Sequence, residues 1–271
     1  IAYGNLLDLI MVDTRLHGRE EQAGTTGATV NDPSRTILGA DQYTWLIQNL
    51  LFSTATWKVL GNQVMFAPLQ VAGIAVNEDQ WDGYPAERNA IISQVLANNV
   101  EGIVVLTGDI HTAWGNDVPT ANYESDGTGS AFVEYVTPSI TAGNSPIGGI
   151  GEAVLQLANN HMKYINLTEH GFLILDINQI RAQSDWFYVN TLTSPSSAYH
   201  WDESWYVNHT ERHLRNTITA AFPRAELNHL QAPLWPRVFS NASISDNEEN
   251  ILMGVYPNPF NDGIYVQYHL Q

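Results

Sequence analysis

The run Thr107-Gly108-Asp109-Ile110-His111-Thr112-Ala113-Trp114 sets a carboxylate and an imidazole two residues apart, directly after the apolar stretch Ile103-Val104-Val105-Leu106. Ligands of open α/β sheets collect at the carboxyl ends of strands, and Gly108 permits a tight turn there. From such a turn Asp109 and His111 can both reach one cavity. They would offer it one oxygen and one nitrogen, a pair suited to a metal ion or to proton transfer. An Asp that caps its turn beside an ordinary surface His fits the spacing equally well. One Asp-x-His does not separate a metallohydrolase from many other kinds of site.

Three further residues have the chemistry for a phosphate or metal site. Asp82, in Asp79-Gln80-Trp81-Asp82-Gly83-Tyr84-Pro85, lies just before a helical stretch, so it either touches a ligand or caps exposed N–H groups. Arg88, six residues on in the first turn of that helix, reads as a salt-bridge partner of Asp82 or of another carboxylate nearby. Arg15 in Asp13-Thr14-Arg15 carries the planar fork that grips two phosphate oxygens, but it could also pair with Asp13 or anchor the loop that follows. Asn62 and Gln63 offer neutral oxygens at another strand end. His161, His170 and His209 lack ligand-like spacing and read as structural or surface groups. Trp201 to Tyr206 reads as an aromatic packing patch rather than a sugar platform.

Strands and helices must hold these residues. Leu6 to Asp13 and Thr56 to Leu60 read as strands, and Gly102 to Thr107 as a central strand, apolar enough to be covered on both faces. Asp41 to Phe52 reads as an amphipathic helix, and Pro85 opens another that runs to about Asn98, with the proline where its missing N–H costs nothing. Beyond Trp114 come further strand candidates at Ala131–Val136, Gly171–Ile177 and Asp185–Val189, with helical turns near Gly151–Asn159. The order predicts an α/β protein built on a mixed sheet with helices on its faces.

The chain has 271 residues and a formal net charge of −17. That charge repels nucleic acid and anionic membranes at a distance, while a local cation could still admit a phosphorylated small molecule. There is no cysteine, hence no disulfide framework, and no apolar run approaches the ~18 residues that span a bilayer. Ser240 to Asn250 is polar and weakly acidic, suited to a linker, and Ile264 to Leu270 then alternates with the period of a strand.

In order along residues 1 to about 215, the sequence resembles the PhoD-like alkaline phosphatase/phosphodiesterase family. The resemblance rests on Met11–Arg15, Leu38–Gln42, Trp45-Leu46, Trp57–Gln63, Trp81–Arg88, Leu106–Trp114, Tyr135–Ile140 and Asn160–Tyr164. It implies a calcineurin-like metallophosphoesterase fold, incomplete at the N-terminus, and a metal cluster of calcium and iron. Asp109 and His111 match the family's last metal-binding motif. Arg15, Asn62 and Asp82 match positions near the pocket. The reaction implied is hydrolysis of phosphate monoesters or diesters by a metal-activated water. Earlier motifs that supply most of the family's ligands have no counterpart here, so the chain by itself is expected to be weak or inactive. A noncatalytic extracellular surface-binding protein on the same fold is the alternative.

Val255-Tyr256-Pro257-Asn258-Pro259-Phe260-Asn261 resembles the opening of a type IX secretion C-terminal sorting domain. The expected organisation is therefore a phosphoesterase part over 1–238, a linker over 239–254 and the start of a sorting domain over 255–271. That resemblance implies type IX secretion machinery as a partner and a place outside, or on the outer surface of, a Bacteroidota-like bacterium.

Overall fold

The computed structural model describes residues 1–144 and 148–221, together with the backbone of two short strands nearer the C-terminus. The chain divides into two compact units, Ile1–Phe222 and Pro223–Gln271. In the first, β1 (Ala2–Tyr3) and β2 (Leu7–Met11) precede α1 (Gly39–Phe52) and β3 (Trp57–Gly61). A small hairpin of β4 (Gln70–Val71) and β5 (Ile74–Ala75) leads to α2 (Pro85–Ala97) and β6 (Ile103–Thr107). Then follow β7 (Ala113–Pro119), β8 (Ser130–Val136), α3 (Ile150–Ala158) and β9 (Met162–Asn166). The unit closes with β10 (Gly171–Ile177), β11 (Arg181–Val189), β12 (Tyr199–Asn208) and β13 (Arg215–Thr217).

Seven strands form one sheet in the order β1-β2-β3-β6-β8-β7-β9. β2, β3, β6 and β8 run parallel, and β7 lies antiparallel between β8 and β9. β2 is joined to β3 through α1, β3 to β6 through α2, and β6 to β8 by way of β7, because a parallel return needs a crossover of a dozen or more residues. The two-residue period of a strand sorts the core. Ile10, Leu60, Ile103 and Val105 face Leu46 and Leu50 of α1 and Ile91 and Val95 of α2. Trp57, Val59, Val104 and Tyr135 share a second cluster with Ile177, Ala182, Trp186 and Tyr188. The apolar run of β6 is thus covered by helices on one face and by a second sheet on the other.

The calcineurin-like metallophosphoesterase fold expected from the sequence is corrected by this topology. One large seven-stranded mixed sheet with α1 and α2 on one face organises the body, and the chain has this α/β build rather than the calcineurin-like sandwich. The remaining strands, β10-β11-β12-β13, form a smaller, wholly antiparallel sheet laid against it. The connections explain why: residues 178–180, 190–198 and 209–214 are too short for parallel crossovers, so each strand folds back on the last.

β7 and β9 were not foreseen as strands. β7 carries Asn116 and Asp117 fully buried, which hides its apolar alternation. No helix among the described residues is long and apolar enough to cross a membrane. The expected linker and sorting-domain start fall almost wholly outside the described residues. Two strands there, β14 (Leu252–Val255) and β15 (Ile264–Gln267), pair antiparallel.

Candidate functional site

β6 delivers its last residue, Thr107, to a buried carboxylate on the neighbouring β8. Thr107 Oγ1 donates to Glu134 Oε1 at 2.6 Å, and the same oxygen accepts Phe66 N at 2.7 Å. Glu134 Oε2 accepts Ala67 N at 2.9 Å and Asn116 Nδ2 at 3.1 Å. Complete burial raises the Glu134 carboxyl above its ordinary range, although these donors favour the charged form and pull the other way. The arrangement ties the loop after β3 to the end of β6.

Beyond Thr107 the backbone turns sharply. Ile110 N donates to Gly108 O at 2.8 Å, and both Asp109 (φ 70°) and His111 (φ 66°) adopt the left-handed conformation. Two non-glycine residues there within one turn store strain of the kind that concentrates at functional sites. The turn leaves both side chains exposed.

Arg15 bridges two acidic side chains. Its Nη2 donates to Asp109 Oδ1, and its Nη1 donates to Asp79 Oδ2 at 2.6 Å. Partial burial alone would lower the guanidinium's pKa, but the bonds to Asp79 and Asp109 outweigh it and raise the value. Asp79 Oδ1 also accepts Arg19 Nη2 at 2.7 Å and Gln22 Nε2 at 2.6 Å, so the long loop after β2 is stitched to the loop before α2 beside the turn. Asp13 does not pair with the Arg15 guanidinium. Its carboxylate accepts the backbone N–H groups of Leu16 and Arg15, which hold its pKa below the usual range.

His111 is oriented through one ring nitrogen. Nδ1 lies 2.8 Å from the Gly143 carbonyl oxygen. A carbonyl can only accept, so Nδ1 carries a proton, and in the neutral ring Nε2 keeps its lone pair. That tautomer leaves Nε2 able to bind a metal ion or receive a proton.

The other expected residues lie deeper. Asn62 is 5% exposed: its Nδ2 donates to Val64 O and to Thr107 Oγ1, and its Oδ1 accepts Trp81 Nε1 at 3.1 Å. Asp82 is 3% exposed, with Oδ1 2.6 Å from Arg88 Nη1 and Oδ2 accepting Leu69 N and Gln80 Nε2. It pairs with Arg88 and caps no helix. Gln63 holds Thr14 through its side-chain oxygen. Sequence reading missed Asp79 as the partner of Arg15, and its one signal was the acid's place in the same segment as Asp82. His161 is buried, hydrogen-bonded to Pro68 O at 2.9 Å, and burial pushes its pKa down to about 4, as suits a structural imidazole.

The donor chemistry fits part of a metal site: Asp109 keeps Oδ2 without a hydrogen bond among the described residues, and His111 keeps Nε2. Among the described residues, however, no group of three His, Cys, Asp or Glu side chains lies where it could hold an ion. The turn can contribute to a centre and does not complete one. A hollow of about 440 Å³ lined by Lys58, Glu101 and His209 sits at the amino ends of β3 and β6, opposite the turn and away from where α/β ligands collect.

A mixed sheet with a polar turn at the carboxyl end of a central strand places the chain among α/β proteins whose ligands collect there, and comparison narrows the class. The profile of the family described as PhoD-like phosphatase matches residues 1–186, and the chain belongs to that family. It is 32% identical over 206 residues to a protein of Bacillus subtilis (strain 168) named alkaline phosphatase D, covering 73% of this chain and 35% of that protein. A solved structure described as the structure of PhoD superposes with a TM-score of 0.73 at 28% identity, covering 83% of this chain and 44% of the other. The chain thus spans less than half the length of either relative. The likeness also agrees with the corrected architecture, an α/β fold related to PhoD.

Proposed function

We propose that residues 1–221 carry the late portion of a phosphoesterase site, and that a longer protein containing them hydrolyses phosphate monoesters or diesters. The observation that carries this reading is the Asp109–His111 turn, left-handed at both residues, with His111 fixed as the Nδ1–H tautomer. Asp109 and His111 are the ligands this chain gives to a metal centre, with calcium and iron the ions assigned from the family resemblance. When bound, such ions neutralise phosphate oxygens and lower the pKa of a coordinated water. Arg15 is the phosphate contact: its guanidinium already bridges two carboxylates at the turn, and a phosphate offers it the same paired oxygens. Asn62 and Asp82 hold the pocket from beneath, fixing Thr107 and the Leu69 backbone.

Residues 255–271 complete the reading as the start of a secretion sorting domain. Type IX machinery is then the partner, and the outside or outer surface of a Bacteroidota-like bacterium the location. A noncatalytic surface-binding role is favoured instead by the rings on the outer face of the small sheet. There Phe172 stacks on Phe187 at 5.5 Å, and Tyr199 is 57% exposed.

The deciding experiment assays the longer parent protein and its Asp109→Ala and His111→Ala variants for metal content and for monoester and diester turnover. Each variant is expected to lose more than the ~100-fold that loss of an outer-shell partner costs. The 271-residue chain alone is expected to show no turnover above background. Undiminished turnover in His111→Ala would sink the assignment, and a parent inert toward both ester classes would favour the binding role.

A further inference from the structure

After β8 the chain passes over the candidate turn. Thr137 N donates to Thr107 O at 2.9 Å and Ser139 N donates to His111 O at 3.2 Å, while Ser139 O accepts Gly171 N at 3.0 Å. The Ser139 hydroxyl lies 2.6 Å from Ala142 O and 3.1 Å from His170 Nδ1. Four residues on, Gly143 O receives the proton of His111 Nδ1.

A serine hydroxyl has one proton and two lone pairs. The Ala142 carbonyl can only accept, so that proton goes to Ala142. His170 Nδ1 must then donate to the serine oxygen. One short loop therefore fixes two imidazoles, 59 positions apart, in the same Nδ1–H tautomer with both Nε2 lone pairs left over. Free imidazoles have no such constraint.

We propose that Ser139 is a positioning residue of the candidate site. Through the Ser139–Gly143 loop it sets the tautomer and orientation of His111 and brings His170 to the same rim in the same state. The inference rests on the phosphoesterase reading only where it assigns a use to the His111 Nε2; the tautomers themselves do not depend on it.

The test is long-range ¹H–¹⁵N NMR of the imidazoles in the 271-residue chain, above about pH 8, where histidines are neutral. Wild-type chain is expected to show Nδ1–H at both His111 and His170. Ser139→Ala should return His170 to an Nε2–H or mixed state and shift His111 as Ala142 is released, and Ser139→Thr should keep the wild-type pattern. Should the alanine variant fail to fold, the near-isosteric Ser139→Cys, a weak acceptor, should show a partial loss of Nδ1–H at His170. An Nε2–H tautomer in either wild-type imidazole, or unchanged tautomers in the folded alanine or cysteine variant, would overturn the proposal. In the longer parent protein, Ser139→Ala should weaken metal binding about 10-fold or more, with Ser139→Thr restoring it. Altered tautomers with unchanged metal affinity would leave the loop's role standing and remove the metal assignment of His111.

Discussion

Asp82 and Arg88 form an ion pair closed off from water, and its chemistry is that of the core. Removing the carboxylate leaves a guanidinium buried without its counter-charge and takes the acceptor from Leu69 N and Gln80 Nε2. Asp82→Ala is expected to cost about 3–5 kcal/mol in urea unfolding, and any effect on turnover in a parent protein to follow from a displaced pocket wall. Glu134 behaves differently because its folded pKa is raised. Between the unfolded value, about 4.3, and the raised folded value, the native state holds more protons than the unfolded one. The stability it contributes is therefore present in acid and lost as pH rises through the folded pKa. Unfolding free energies measured across pH should show that decline in the wild type and a flatter profile in Glu134→Gln. At this scale the exposed turn that carries Asp109 and His111 was legible because it directly follows an unmistakable strand. The Arg15 bridge to Asp79 was not, since 64 positions separate the partners and no period links them. The pairing of Asp82 with Arg88 was legible but its burial was not, because burial is decided by what closes over a side chain.

The secondary elements that hold the turn were mostly readable where one period ran uninterrupted. α1, α2 and the central strand stand within a residue or two of their expected bounds, and Pro85 and the run Ile103–Leu106 mark the limits of the latter two. β7 was unreadable: its buried Asn116 donates to Glu134 on β8, its buried Asp117 accepts from Tyr123 and the Leu214 backbone, and local sequence does not report such partners. Entry into β6 depends on Gly102. Its φ is +67°, a Cβ there would stand 2.2 Å from Thr56 O, and its carbonyl accepts Lys58 N at 2.7 Å. Relief of that contact would have to move the β3–β6 pairing itself. Gly102→Ala is accordingly expected to destabilise the chain by about 1–3 kcal/mol, read as a lowered urea midpoint with an unchanged slope.

On the scale of the whole molecule, the α/β character was legible, while the calcineurin-like arrangement expected of the sheets was not the one formed. Alternating helices and strands announce an α/β sheet, but nothing local in residues 171–217 says which surface a run of hairpins will cover. The structure answers with Trp186. This residue is fully buried, its Nε1 donates to Val136 O at 3.1 Å, and its ring packs 4.6 Å from Tyr164 and 5.8 Å from Tyr135 of the large sheet. The same cluster includes Trp57 and Val104 from one sheet and Tyr188 and Val207 from the other, so neither sheet has a separate apolar interior on that side. The small sheet should therefore not melt alone. A chain ending at Phe222 is expected to unfold in one transition, with far-UV dichroism and tryptophan fluorescence coincident along the urea axis. Trp186→Ala, which removes a ring from both sheets at once, should lower stability by about 3–5 kcal/mol and keep the two probes coincident. Separated probe transitions in the truncated wild type would show instead that the antiparallel sheet is an independent layer.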